Sequence, residues 1–320
     1  MGKQVVSIFR QHFQPVLSQE KTPDSLDNEK KMNKIRFKMD TTNTKNRTLA
    51  GIPIKPMFYC EEIGLWLFQC DCIRLMDYLI EFYPEGVFDM IFADPPYFLS
   101  NGGITCYAGR MVLVNKGEWD RSKGVEENHH FNIEWLSRCQ KLLKPNGTIW
   151  VSGTYHVIFS VGFAMQQLGM KILNDITWEK PNPPPNLSCR YFTHSTETII
   201  WAAKDAKSKH TFNYGIMRQM SGGKQMKTVW RIPAPDRKEK IFGKHPTQKP
   251  VKLLERIILA STNETDIVFD PFMGSGTTGV AAINLKRRFI GCELEKVYSE
   301  IAIKRIQKVI ETLYEQRRIF

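Results

Sequence analysis

The chain has 320 residues, an ordinary apolar share of 42% and a formal charge of +12 at pH 7, so it can bury one sizeable α/β core and favours a polyanionic partner. Its seven cysteines are odd in number and never spaced Cys-x-x-Cys, which argues against a disulfide framework or a zinc site; no metal is expected. No run of about 18 apolar residues exists to span a bilayer and the N-terminal stretch lacks an apolar signal-type segment, so a reducing cytoplasm without membrane contact is expected.

The charge is local. Residues 1–56 carry eleven Lys/Arg against five Asp/Glu, and Lys204–Lys249 carries twelve against three, which leaves the remainder slightly acidic. Such segregation suits a nucleic-acid contact region on a neutral scaffold, although a solvated lysine-rich loop has the same composition. Residues 1–56 are polar and without apolar period, and read as an extension.

From Leu65 onward short apolar runs alternate with helical spacing, the pattern of buried parallel strands with crossover helices. Seven strands are predicted, at Leu65–Gln69, Phe88–Ala93, Gly147–Ser152, Ile172–Glu179, Glu197–Ala202, Ile267–Asp270 and Phe289–Glu293. Helical spacing marks Ile133–Leu143, Val251–Ala260 and Ser299–Leu313. Between Ala203 and Gly243 both periods fail, and the stretch reads as an irregular basic insert.

Two motifs carry chemistry. The run Ile91–Phe98 is an apolar strand ending in Asp94-Pro95-Pro96-Tyr97; the prolines force the chain out at the strand's carboxyl end, where open α/β sheets bind ligands. An exocyclic amine on a base is a weak nucleophile whose N–H bonds need acceptors during attack. Asp94 offers a carboxylate, the Pro95 carbonyl a second acceptor, and Tyr97 a face for an unstacked base. The same tetrapeptide can also simply terminate a strand.

The second motif, Val268–Gly279, runs an apolar strand into a glycine-rich turn and a helix. Gly274, Gly276 and Gly279 satisfy Gly-x-Gly-x-x-Gly, so a dinucleotide, another nucleotide or a methyl donor all fit this turn taken alone. The next strand ends in Glu293, placed to accept from ribose hydroxyls or to act as a surface acid.

Together, Asp94-Pro95-Pro96-Tyr97 and Asp270-Pro271-Phe272-Met273-Gly274-Ser275-Gly276-Thr277-Thr278 resemble the catalytic and cofactor motifs of amino-methylating DNA methyltransferases. The catalytic motif comes first, as in the β class of that family. His245-Pro246-Thr247-Gln248-Lys249-Pro250 is similar to a further cofactor motif, and Asp71 to the acid that contacts the cofactor adenine. The resemblance spans about residues 57–310 and implies a Rossmann-like S-adenosylmethionine-dependent fold with a mostly parallel seven-stranded sheet and one antiparallel strand, Ile172–Glu179 and Glu197–Ala202 forming the antiparallel pair.

Carried across, the resemblance makes Asp94, Pro95, Pro96 and Tyr97 the methyl-transfer site. It has Asp71, Asp94, Thr247, Gln248, Lys249, Asp270, Phe272, Gly274, Ser275, Gly276, Thr277, Thr278 and Glu293 line the S-adenosylmethionine pocket. The implied layout is a basic extension at 1–56, a catalytic half at 57–203, a target-recognition insert at 204–243 acting with loop 181–196, and a cofactor-binding half at 244–320. The segments Phe98–Gly103 and Asn186–Glu197 further resemble the second, smaller methyltransferase of Dpn-type restriction–modification systems, which implies adenine-N6 methylation, GATC as the site and a cognate restriction endonuclease as partner. Cys292-Glu293 departs from the family's common apolar residue and Asp.

Arg pairs with guanine and Asn with adenine, so Asn186, Arg190, His194, Lys224 and Arg231 are candidate DNA contacts, each equally able to touch phosphate. Trp201 and Trp230 are expected to pack, and Asn101–Asp120 either closes over the target base or is an ordinary loop. Cysteine-based C5-methylation is disfavoured, since neither Cys189 nor Cys292 sits in a Pro-Cys setting. N4-cytosine methylation, methylation of RNA or of a protein amide, a silent nucleic-acid-binding subunit, and a nicotinamide oxidoreductase remain as alternatives. Duplex and single-stranded DNA, monomer and homodimer, are all compatible with the sequence.

Overall fold

Residues 54–99, 104–107, 110–113 and 120–318 are described by the computed structural model of the chain. The basic stretch before Ile54, Ser100–Gly103 and much of the Asn101–Asp120 segment lie outside them, with the expectations placed there.

Strand β1 (Phe58–Cys60) folds back antiparallel on β2 (Leu65–Gln69), and α1 (Cys72–Phe82) crosses to β3 (Phe88–Ala93). Asp71 caps α1 by accepting the Arg74 N–H at 2.9 Å, while Cys72, Leu75, Met76 and Leu79 bury one face. A hairpin of β4 (Ile104–Tyr107) and β5 (Arg110–Leu113) stands apart from the main sheet. The chain then runs through α2 (Val125–Leu142), β6 (Leu143–Gly153) and α3 (Ile158–Gln167) into β7 (Lys171–Glu179) and β8 (Thr196–Ala203). Next come α4 (Tyr214–Met220), β9 (Val229–Arg231), α5 (Val251–Ser261) and β10 (Ile267–Asp270), then α6 (Thr277–Asn284), β11 (Arg288–Glu293) and α7 (Lys296–Arg318).

The main sheet runs β1-β2-β11-β10-β3-β6-β8-β7-β9. All seven expected strands are in it. Strands β2, β11, β10, β3 and β6 are mutually parallel, and β8 runs antiparallel to both β6 and β7. The sheet has nine strands among the described residues instead of seven, because β1 and β9 extend its two edges. Each is three residues long, too short to show an alternating pattern.

Side chains alternate between two cores. Trp66 and Phe68 of β2 face α1, α2 and α3; Leu65 and Leu67 face the layer of α5, α6 and α7. The basic insert is less irregular than its composition predicts. Met217, Trp230 and Ile232 reach into the second core, and β9 pairs in parallel with β7. Trp201 and Trp230 pack as expected: Trp150 stacks on Trp201 at 4.6 Å and lies 6.1 Å from Trp230. At the other end, Ile54 joins the first core.

From β3 the chain winds outward through β6 towards β8 and β7, whereas from β10 it winds towards β11. The topology therefore reverses between β3 and β10, and ligands in such sheets bind in the crevice beyond that point.

Candidate active site

Beyond the carboxyl ends of β2, β3, β10 and β11 lies a cavity of about 260 Å³. The prolines after Asp94 end β3, as the sequence requires, and Asp94, Pro95, Pro96 and Tyr97 all line this cavity. So does every residue expected at the cofactor pocket except Gly276. Gly276 turns the other way: at φ +75° it precedes α6, and a Cβ there would sit 2.8 Å from the Ala302 Cβ of α7. Gly274 faces the cavity, where an added Cβ would lie 3.1 Å from the His245 ring.

Asp94 is held tightly. Its Oδ2 accepts from the Lys249 ammonium at 2.6 Å and its Oδ1 from the Tyr97 hydroxyl at 2.6 Å. Burial pushes the Asp94 carboxyl up, and Lys249 pulls it only part of the way back. Lys249, with 5% of its side chain exposed, lies 3.5 Å from Glu197 Oε2. Burial works against the Lys249 charge, but Asp94 and Glu197 together raise it above the ordinary lysine range. Glu197 in turn pairs with Lys180; against the effect of burial, Lys249 and Lys180 hold its carboxyl down at about 2. Tyr97 departs from its expected pose. It is 5% exposed, with its hydroxyl turned inward among Asp94, Glu197 and Lys249, so its ring offers little open face to a base in this structure.

On the opposite wall, Asp270 accepts from the Phe272 N–H at 3.0 Å and the Thr278 hydroxyl at 2.5 Å. Burial nevertheless pushes Asp270 up to about 7. The Ser275 and Thr277 hydroxyl oxygens accept from the Arg305 guanidinium at 3.0 and 2.9 Å, which braces the turn from α7. These residues shape the glycine turn more than they expose free groups. Glu293 accepts the Gly274 N–H at 2.8 Å, and burial raises its carboxyl.

The donor set fits S-adenosylmethionine. Carboxylates at the ends of β2 and β11, Asp71 and Glu293, can accept from hydroxyl and amino groups, and Phe131, Phe272 and Leu294 add apolar wall. Gln248, in the same lining, keeps a buried Oε1 without a hydrogen-bond partner among the described residues. His245 and Tyr298, stacked edge to face at 4.2 Å, complete one side.

Sequence reasoning placed His245 in a cofactor motif without giving it a site role, and missed Asp120, Tyr298, Arg305, Lys180 and the role of Glu197. Asp120 is fully buried and accepts the Tyr97 and Leu99 N–H groups at 2.9 and 3.2 Å, flanking Phe98, whose φ is +57°. A charged residue on the apolar stripe of α7 was the available signal for Arg305; the others stand outside any pattern. Of the expected DNA contacts, Arg190, His194, Lys224 and Arg231 are exposed. Asn186 is engaged within its own loop, donating to the Tyr191 carbonyl at 2.6 Å and accepting from the Ser188 N–H and hydroxyl at 3.0 and 2.8 Å. Arg231 lies 3.5 Å from Glu179, and His194 stacks on Tyr155 at 5.2 Å.

A family model for N6/N4 methyltransferases, described as DNA methylase, matches residues 88–304. The chain is 58% identical over 236 residues to the type II methyltransferase M2.DpnII of Streptococcus pneumoniae, covering 73% of this chain and 88% of that protein. It is 56% identical over 260 residues to M2.LlaDCHI of Lactococcus lactis subsp. cremoris, covering 81% and 95%, and 50% identical over 260 residues to M2.MboI of Moraxella bovis, covering 81% and 94%. Among solved structures, the M1.HpyAVI–SAM complex superposes with a TM-score of 0.58 at 32% identity, over 76% of this chain and 98% of that one. The cytosine-N4-specific PvuII DNA methyltransferase, at 19% identity and a TM-score of 0.59 over 78% and 90%, shares the fold.

Proposed function

The chain belongs to the DNA methylase family of S-adenosylmethionine-dependent methyltransferases, and from that premise we propose that it methylates adenine at N6 within GATC, as the modifying member of a restriction–modification system. The observation that carries this reading is Asp94-Pro95-Pro96-Tyr97 lining the cavity that the glycine turn of β10 also lines. An acid at position 94, together with its relation to the M2 enzymes, favours adenine over cytosine.

S-adenosylmethionine would supply an electrophilic methyl group, and Asp71, Gln248, Phe272, Gly274 and Glu293 would hold it. The chain's own part is positioning. Asp94 and the Pro95 carbonyl accept the N–H bonds of an adenine amine flipped out of the stack, so that the nitrogen lone pair is free for in-line attack. The surplus proton leaves afterwards to water. No enzyme nucleophile takes part: Cys292 is buried with its thiol bonded to the Cys70 carbonyl at 3.2 Å, and Cys189 sits on an exposed loop. Arg190, His194, Lys224 and Arg231 contact the DNA backbone or base edges. The enzyme works in the cytoplasm, as a monomer or homodimer, beside a cognate endonuclease.

The test is transfer of labelled methyl to unmethylated DNA, with nucleoside analysis and mapping of modified positions. N6-methyladenine confined to GATC is expected, and N4-methylcytosine would overturn the base assignment. Asp94→Ala is expected to lower the rate by roughly 10³-fold, with S-adenosylmethionine affinity within about threefold of the wild type by calorimetry.

A further inference from the structure

Four charged side chains from four separate segments meet beyond the strand ends on one side of the sheet. Asp94 follows β3, Lys180 follows β7, Glu197 lies at the start of β8, and Lys249 precedes α5. Lys249 is the centre of the group. Its ammonium has three N–H bonds and four acceptors around it: Asp94 Oδ2 at 2.6 Å, Tyr97 Oη at 3.2 Å, the Thr247 carbonyl at 3.4 Å and Glu197 Oε2 at 3.5 Å. No N–H is left over for a bound cofactor. Glu197 is engaged in the same way, with Lys180 on Oε1 and, around Oε2, Lys249 and the Ser152 hydroxyl at 3.4 Å; the Tyr97 oxygen lies 3.3 Å from Oε2 but its one proton goes to Asp94. Two carboxylates and two ammonium groups balance, so the group carries no net charge in a setting where an unbalanced one would be costly.

We propose that Lys249 is a positioning residue for the methyl-transfer step, fixing the Asp94 carboxylate in place and in its ionised form, and that Glu197, itself anchored by Lys180, holds Lys249 in that role. The proposal rests on the reading of Asp94 as the acceptor for the target amine. It departs from the assignment of Lys249 to the cofactor pocket.

Each carboxylate oxygen of Asp94 has one donor in the resting site, Lys249 on Oδ2 and Tyr97 on Oδ1, which leaves lone pairs on both for the amine. A protonated Asp94 would lose one acceptor and present a donor to the amine instead. Keeping it ionised in a buried site is therefore a requirement of the chemistry, and the nearby ammonium works towards it against burial. The groups that face Asp94 are Tyr97 on its own loop, Ser152 of β6 through Tyr97, Lys180 and Glu197 at the β7–β8 end, Lys249, and Asp270 of β10 across the cavity.

The arrangement predicts opposite pH responses from two isosteric substitutions. Lys249→Met removes the attraction that favours ionised Asp94, so the acidic limb of the single-turnover rate moves up by about one pH unit or more. Glu197→Gln removes a repulsion from Asp94, so the limb moves down, while loss of the Lys249 anchor lowers the plateau rate by roughly tenfold. In Lys249→Met the plateau rate falls by roughly 100-fold, with S-adenosylmethionine affinity within about threefold of the wild type. A merely structural role would move neither limb, or move both together.

The experiment compares wild type, Lys249→Met, Lys249→Gln, Glu197→Gln and Asp94→Asn by single-turnover methylation at saturating DNA and cofactor across the neutral pH range. Calorimetry of cofactor binding and thermal melts accompany it, so that a variant that fails to fold is set aside in favour of Lys249→Gln or Glu197→Gln. Opposite limb shifts with intact cofactor binding support the proposal. Loss of cofactor binding in the Lys249 variants with an undiminished rate at saturation overturns it, as do limb shifts of the same sign or none. If wild type is inactive on DNA, or Asp94→Asn is as active as wild type, the underlying functional reading has failed instead.

Discussion

Asp270 and Glu197 show how burial and partners decide in opposite directions. Asp270 is 2% exposed and faces no cation among the described residues; two hydrogen bonds do not offset its desolvation, and its carboxyl rises to about 7. The folded protein thus holds the Asp270 proton more tightly than the unfolded chain does. Its contribution to stability is complete below about pH 4 and is lost as pH rises to about 7, an amount on the order of 4 kcal/mol. Glu197, held at about 2 by two lysines, contributes above its ordinary range and loses that contribution as pH falls towards 2. Urea unfolding of the protein at a series of pH values is expected to show stability declining between about pH 4 and 7, and Asp270→Asn is expected to flatten that decline; an unchanged slope would contradict it. The sequence marked Asp270 through its motif, yet a strand-terminal aspartate reads alike whether or not a cation faces it. Glu197 stood at a strand start with no motif logic of its own. The groups around it, Lys180, Lys249 and Tyr97, lie 17, 52 and 100 residues away in the chain, separations that no local pattern encodes.

At the level of elements, the three glycines of the turn before and within α6 have separate tasks. Gly274 clears space on the cavity side next to His245, Gly276 admits α7, and Gly279 lets α6 lie against β11 and α7, since a Cβ there would come within 2.7 Å of Phe289 and Ile306. The spacing was readable in the sequence; the division of labour was not, because it depends on which neighbour each position meets. Gly276→Ala combines a left-handed φ of +75° with a 2.8 Å approach to Ala302, and is expected to cost roughly 1–3 kcal/mol, read as a lowered unfolding midpoint. An unshifted midpoint would count against this packing. The helices divide similarly. α5 shows its apolar face at helical spacing and was legible. α3 buries Ile158, Val161, Ala164 and Met165 but also leaves Phe159 and Phe163 exposed, so its apolar residues occur all round and give no period.

Across the whole molecule, the basic surplus in Lys204–Lys249 is split by the fold. Lys249 is drawn into the active site and neutralised there, while Lys224 and Arg231 stay exposed. If that exposed set meets DNA phosphates, the double substitution Lys224→Ala and Arg231→Ala weakens DNA binding for all sequences alike and reduces the salt dependence of log affinity by about 2, without changing cofactor binding. An unaltered salt slope would remove these residues from the interface. The sequence by itself determined the strand and glycine-turn chemistry and the order of the motifs, because these are local in the chain: a buried strand needs an apolar run, its end needs prolines or an acid, and a tight turn needs glycine. Edge strands β1 and β9, the inward turn of Tyr97 and the four-charge group around Lys249 were decided only by the tertiary structure. Each depends on contacts between distant segments, and a charged side chain's role is set by what lies within a few ångströms of it in space, which sequence position does not reveal.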